Sequence, residues 1–306
     1  MRLLGHPKDS LRLAKRGLRA RRTPATAVGA ALILAVSLHP APLLGATSGD
    51  ELTGREIIEK VNQRNFGRSV SQRMTMRIVG PEERVRERGL LSFRSFTPTA
   101  SRLAFYVTSP PNMRNMAYLV HDHFDPELDD DQWVYTPQRA APRRIAATNR
   151  RESFLGSEFS LEDVRKVFRI EVDDYEWERV ASRKVDGRTV HEVVQRPKSE
   201  ALANQLGVSR MRNFIDGTHW VRLKVESDDL SGTPLRTIRI AIVDTDGEGP
   251  QVAKAVARNL QTGNKTEIIF RDRSYERPIA EDVFSLRGLR RENVTSLERT
   301  FARQPQ

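Results

Sequence analysis

Cysteine is absent from all 306 residues. That excludes disulfides, thiolate nucleophiles, cysteine-ligated zinc, iron–sulfur clusters and a lipid-modified N-terminal cysteine. The motifs G-x-S-x-G, Walker A, G-x-G-x-x-G and H-E-x-x-H are absent too, so the sequence offers no nucleophile elbow, phosphate loop or zinc-binding helix. After residue 46 no apolar run reaches 18 residues, too short for a spanning helix. Nor is there a stripe of one charge. The net charge of +11 is front-loaded: residues 1–46 hold eight basic residues against Asp9 alone, and the +4 of the remainder is scattered among alternating acids and bases. Nucleic acid is therefore not an expected partner.

The basic front is followed by an apolar stretch from Ala25 to Leu38, then Pro40 and Pro42, then small residues around Leu44-Gly45-Ala46. This is the order of a secretory signal, and about 14 apolar residues fall short of the ~20 that cross a bilayer. Residues 1–46 are read as a cleaved export signal, with an uncleaved inner-membrane anchor as the alternative, and the periplasm as the destination.

Beyond it, Thr53-Gly54-Arg55-Glu56 is a T-x-x-E capping box before Ile57, Ile58 and Val61, predicting a helix over 53–65. From Ser69 the period becomes two: Met74, Met76 and Ile78 alternate with polar residues, and runs at 84–96, 103–107 and 116–120 follow suit. Residues 121–168 differ, with an acidic loop, Trp133-Val134-Tyr135, basic residues, and a helix capped by Ser160, so they are expected to cover a sheet. Strands resume at 169–182, 188–196, 218–226, 235–245 and 265–273, punctuated by Asp186-Gly187, Asp216-Gly217 and Asp246-Gly247 turns. Residues 250–260 fit helix or strand, and 291–306 lack periodicity and are expected to be disordered. The inventory of nine or ten antiparallel strands with two or three helices points to a mainly β chain with α: a curved antiparallel half-barrel with helices over its concave face, one domain over 47–290.

Candidate chemistry is thin. His121 and His123 beside Asp122, Asp125 and Asp129–Asp131 suggest a metal site, but a solvated loop explains them better. Asp244, Asp246 and Glu248 start like a calcium loop but lack its distal Glu. Glu158, Glu162 and Asp163 could act as paired carboxylates of a hydrolase, yet helix N-termini collect acids for electrostatic reasons alone. Arg143 and Arg144 are candidates to meet an anionic head group. No catalytic residue, metal or cofactor is assigned.

Asp131-Gln132-Trp133-Val134-Tyr135-Thr136-Pro137, Arg143-Arg144-Ile145, Ser153-Phe154-Leu155-Gly156-Ser157-Glu158-Phe159 and Leu161-Glu162-Asp163-Val164 together resemble the outer-membrane lipoprotein-sorting protein family, a LolA/LolB-like group. Asn259 to Glu267 and Val283-Phe284-Ser285 resemble its closing hairpin and terminal segment, which makes 250–260 a strand. The resemblance spans about residues 50–290. It implies a half-barrel closed by helices around an apolar cavity for acyl chains. A non-catalytic, monomeric periplasmic carrier is the expected function, taking lipid or lipoprotein acyl chains from an inner-membrane transporter complex to an outer-membrane acceptor. An accessory or sensor subunit of an RND-type exporter or envelope-stress system, using the fold to bind protein, is the alternative.

Flexible and aromatic side chains on strand faces are the candidate cavity wall: Met74, Met76, Phe93, Phe105, Met116, Trp133 and Tyr135. Phe154, Leu155 and Phe159, beside a Gly156 hinge, are the candidate lid.

Overall fold

In the computed structural model residues 51–302 are described, except 65–66, 126, 140, 246–248, 276 and 292–293. The export-signal segment 1–46 and the Asp246-Gly247 turn lie outside the described residues. The capping box forms as its spacing predicts and opens α1 (Gly54–Asn62). The Thr53 hydroxyl accepts from the Glu56 N–H at 3.2 Å, and the Glu56 carboxylate accepts from the Thr53 N–H at 2.7 Å.

Two meanders follow. The first comprises β1 (Ser69–Val79), β2 (Val85–Phe96), β3 (Ala100–Ser109), β4 (Ala117–His123), β5 (Asp131–Tyr135) and β6 (Arg143–Ile145). Next come a 3-10 turn at Phe154–Gly156 and the short α2 (Leu161–Arg165). The second meander contains β7 (Tyr175–Val185), β8 (Arg188–Pro197), α3 (Glu200–Leu206), β9 (Arg210–Asp216), β10 (Arg222–Asp228), β11 (Pro234–Thr245), β12 (Gly249–Asn259) and β13 (Lys265–Tyr275). Antiparallel pairing of β1 with β13 joins them into one open sheet of thirteen strands among the described residues, ordered β6-β5-β4-β3-β2-β1-β13-β12-β11-β10-β9-β8-β7. The β7–β8 hairpin turns at Asp186 and Gly187, both at positive φ (49° and 79°), as an Asp-Gly turn between twisted strands requires.

This order has a consequence for the cover. β6 and β7 are the two edges of the sheet yet consecutive in sequence, so residues 146–174 must travel from one edge to the other across a face. They cross the concave face. Phe154, Phe159, Leu161 and Val164 pack there with Met74, Leu90, Leu103, Phe105, Tyr118, Val225, Ile238 and Ile268. α1 covers the far end of that face, where Ile57, Ile58 and Val61 meet Ile170, Val193 and Ile215.

The outer face is buried as well, over β2–β4. After β13 the chain runs back across it through a 3-10 turn at Glu281–Phe284, α4 (Leu286–Arg291) and α5 (Val294–Ala302). Val283, Phe284, Leu289, Val294, Leu297 and Phe301 pack on Leu91, Phe93, Ala104, Tyr106 and Leu119. The expectation that 291–306 is disordered is thus corrected for Val294–Ala302. Val294, Leu297 and Phe301, spaced i, i+3 and i+7, have a second apolar sheet face to bury against. Three further differences are local. The predicted strand 169–182 begins only at Tyr175, the one at 218–226 shifts to Arg222–Asp228, and β9 and α3 were not anticipated. The expected strand at 250–260 is β12.

Candidate functional site

Between the concave face and the crossing segment lies a cavity of about 190 Å³. Strand alternation builds its wall: Met74 from β1, Leu103 and Phe105 from β3, Ile238 and Ile240 from β11, Ile268 and Phe270 from β13. Phe159, Val164, Val167, Phe168 and Ile170 close it from the crossing segment. Drug-sized ligand pockets usually measure ~300–1,000 Å³, so a long chain enters this one only if the cover moves.

The cover is held by polar bonds as well as by packing. Arg94 of β2 is buried, and its guanidinium donates to the Arg165 carbonyl at 3.1 Å and lies 4.6 Å from the Phe168 ring. Burial pushes this guanidinium down to about 10, against the pull of Asp122. Arg222 donates to the Lys166 carbonyl at 3.3 Å, and Arg236 to the Glu158 carbonyl at 2.7 Å. Beneath α2 the charges interlock. Arg165 pairs with Asp130, and its Nε donates to Glu162 at 3.0 Å. Lys166 pairs with Asp122 and Glu171, and Arg150 bridges Glu162 at 3.6 Å and Asp174 at 3.4 Å. Burial pushes the Glu162 carboxyl up to about 7, opposed by Arg150 and Lys166.

Several predicted site residues meet at this site. Met74, Phe105 and Phe159 line the cavity. Met76 and Met116 belong to the same apolar cluster without lining it. Phe154 is 1% exposed, its ring 5.0 Å from Phe105 and 5.7 Å from Tyr118, so it anchors the crossing segment rather than roofing the cavity. Leu155 packs against the same cluster and, like Gly156, has positive φ (52° and 70°). Other candidates are elsewhere. Phe93, Trp133 and Tyr135 have the opposite strand parity and sit with the outer-face cluster, Phe93 against Phe301 at 5.5 Å. As cavity wall they are corrected. Arg143 and Arg144 are exposed on edge strand β6, away from the cavity, and Arg144 pairs with Asp131.

The acidic and histidine groups of the sequence are dispersed by the fold. His121 contacts the Phe284 carbonyl at 3.0 Å, while Asp122 and Asp130 turn to the charge network under α2. No group of three His, Asp or Glu residues placed to hold a metal occurs among the described residues. Glu158 accepts from Asn259 at 3.2 Å, and Asp163 from Ser160 at 2.7 Å. Sequence reasoning missed the polar part of the wall: Gln72, Gln195, Arg222 and Arg273. The signal was available for Gln72, which shares strand parity with Met74, Met76 and Ile78 and is buried like them.

A family model described as "uncharacterized protein" matches residues 100–291. The chain belongs to that family. No curated protein matches it. Among solved structures, a putative outer membrane lipoprotein-sorting protein domain from Vibrio parahaemolyticus is similar at 24% identity and a TM-score of 0.69, covering 78% of this chain and 98% of its own. A DUF1329 family protein from Desulfovibrio piger ATCC 29098 aligns at 21% identity and a TM-score of 0.70, over 77% and 97% of the two chains. A LolA superfamily protein from Nitrosomonas europaea aligns at 16% identity and a TM-score of 0.56, over 77% and 98%. The fold is that of the lipoprotein-sorting and LolA-like proteins, as the motifs at 131–164 implied. This LolA-like fold is mainly β, with an open antiparallel sheet and few helices.

Proposed function

We propose that the protein is a non-catalytic carrier that binds the apolar chain of a lipid or lipoprotein beneath its crossing segment. The observation that carries the reading is the cavity itself: an apolar sheet face roofed by a segment fastened by buried charge pairs as well as by apolar packing. When the segment lifts, its charged groups regain water, and the apolar side chains it uncovers can be met by an acyl chain. Burial of a chain is worth about 0.8 kcal/mol per CH₂, so a long acyl chain brings on the order of 10 kcal/mol toward opening the roof without covalent chemistry. The export-type N-terminus and the LolA-like fold support a periplasmic setting, with an inner-membrane transporter complex as donor and an outer-membrane acceptor. Release follows from differences in affinity among these partners. Phe159, Val164, Val167 and Phe168 are the proposed lid, swinging about Leu155-Gly156.

The test is native mass spectrometry with lipid extraction on the chain expressed with its own N-terminal segment and purified from periplasm without detergent. A lipid or acylated peptide at near-unit stoichiometry is expected. A clean apo mass that also takes up no added phospholipid would overturn the reading in favour of an accessory subunit that binds protein.

A further inference from the structure

The cavity is not uniformly apolar, and its charges are unequal. Five basic residues line it (Arg64, Lys166, Arg222, Arg236, Arg273) against three acidic ones, Glu162, Asp163 and Glu171. Each acid already has a cation. Glu162 is taken by Arg165 and Arg150, Glu171 by Lys166, and Asp163 by Arg236 at 2.7 Å. Among the described residues Arg222 and Arg273 form no salt bridge. Arg222 donates to the Lys166 carbonyl at 3.3 Å, and Arg273 to the Gln72 side-chain oxygen and the Val252 carbonyl, each at 2.7 Å. All of these acceptors are neutral.

The sheet register gathers the basic groups at one end. Arg222 opens β10 opposite Ile215, the penultimate residue of β9. Arg273 lies near the end of β13, where Tyr275 faces Val70 at the start of β1, and Arg64 lies between α1 and that strand in the chain. Arg64 lines the same cavity as Arg222 and Arg273; burial lowers its proton affinity, Tyr275 opposes the shift, and the two neighbouring guanidinium groups add to it. Phe270 and Arg273 stack at 5.4 Å, which aims the guanidinium along the apolar wall. Met74, Phe105 and Ile268 extend away from this end as a continuous apolar strip. Arg222, Arg273 and Arg64 are half-buried, so an incoming anion meets guanidinium groups already partly withdrawn from water and without a carboxylate on Arg222 or Arg273.

We infer that the cargo is an anionic amphiphile, its phosphate or carboxylate head held by Arg222 and Arg273 with Arg64 beside them, and its chain laid along Met74, Phe105 and Ile268. The inference rests on the carrier reading and narrows it to a ligand class. Charge-assisted, fork-shaped donation suits guanidinium groups to such heads. It also assigns the head-group role to residues other than Arg143 and Arg144.

The test uses the full-length protein and displacement of the neutral dye N-phenyl-1-naphthylamine by single-chain probes of equal length. Dodecyl phosphate and dodecanoate are expected to displace it at concentrations about tenfold below dodecyl maltoside, an advantage that falls at high salt. Arg222→Gln with Arg273→Gln should erase the advantage while dodecyl maltoside displaces as before, and the Arg222→Lys/Arg273→Lys protein should keep part of it. The lysine pair, which retains both charges, decides the matter if the glutamine pair fails to fold. Comparing the phosphate with the carboxylate identifies the head. Equal displacement by charged and neutral probes would overturn the inference and leave the carrier reading standing. Displacement by inorganic phosphate alone would overturn it too, since the site would then read an ion and not an amphiphile. Failure of the dye and every chain to bind would overturn the carrier reading and the inference with it.

Discussion

Asp130 offers the sharpest test of whether the crossing segment is a lid or a part of the core. Its carboxylate pairs with Arg165 and lies 3.5 Å from Lys166, and all three residues are at least nine-tenths buried. Asp130→Asn keeps the shape and removes the charge. Breaking a buried pair from one side typically costs about 3–5 kcal/mol, because the surviving charge is left unpaired in a dry site. Where that cost appears depends on the mechanics. If α2 and its flanks lift as a unit, the lifted state hydrates Arg165 and escapes the penalty, so the substitution destabilises only the closed form. Local opening then becomes easier by up to those ~3–5 kcal/mol, two to three and a half orders of magnitude in exchange protection. The reporters are the amides of Leu161, Glu162 and Lys166, which donate to the carbonyls of Glu152, Arg150 and Glu162 at 2.8, 3.1 and 2.9 Å. The open form caps the global loss: once the closed form is destabilised past it, the sheet loses only the free energy of opening. Hydrogen exchange should therefore show the reporters losing protection altogether while the amides of β1, β2 and β13 lose that smaller amount, and the urea midpoint should fall by less than the full penalty. A fall in global stability by the full amount, with the reporters exchanging in step with the sheet, would refute the lid and make 158–171 ordinary core.

Three other substitutions separate the two faces and the hinge. Phe93→Ala should cost about 3–5 kcal/mol by urea denaturation and leave dye binding intact, because Phe93 packs on Phe301 across the outer face. Met74→Ala should weaken dye binding as well as stability, and the idea fails if the two behave alike. Gly156→Val meets no near atom, since a Cβ there lies 3.7 Å from the Arg88 guanidinium, but φ of +70° disfavours a branched residue by ~1–2 kcal/mol. It should slow ligand exchange at nearly unchanged affinity for the dye, and a protein that only unfolds would exclude the hinge. The raised Glu162 carboxyl sets a pH dependence. Its folded value lies above the unfolded one, so its contribution is complete below about 4.5 and is lost as pH rises through about 7. Urea midpoints from pH 4.5 to 8 should fall more steeply for the wild type than for Glu162→Gln, and parallel curves would contradict this.

Much of the fold was legible because one signal dominated. Where a strand has one buried face, as β1 does with Met74, Met76 and Ile78 inward, a period of two identifies both the strand and its core side. In β2 the rule misleads. Leu90 and Arg94 face the concave side while Leu91 and Phe93 face the C-terminal helices, so the strand is buried on both sides and parity no longer says which face is the cavity. The misassignment of Phe93, Trp133 and Tyr135 and the reading of 291–306 as disordered therefore share one cause. An outer face expected to meet solvent is instead covered by Val294, Leu297 and Phe301, and neither half of that contact announces itself without the other.

The same reasoning explains why the polar wall was overlooked. Alternation is read by ignoring residues that break it, and Gln72, Arg222 and Arg273 break it from within a mostly apolar face. In a closed core such residues would be liabilities, each needing a partner at a cost of desolvation. Here they cluster at one end of the sheet, hydrogen-bonded only to neutral oxygens, next to an apolar strip and beneath a segment fastened by charge pairs. An ordinary core has no use for that combination. A site that must accept a molecule with one charged end and one greasy end, and later surrender it, uses all three features: the guanidinium groups for the head, the methionine and phenylalanine strip for the chain, and a roof held in part by bonds that water can replace.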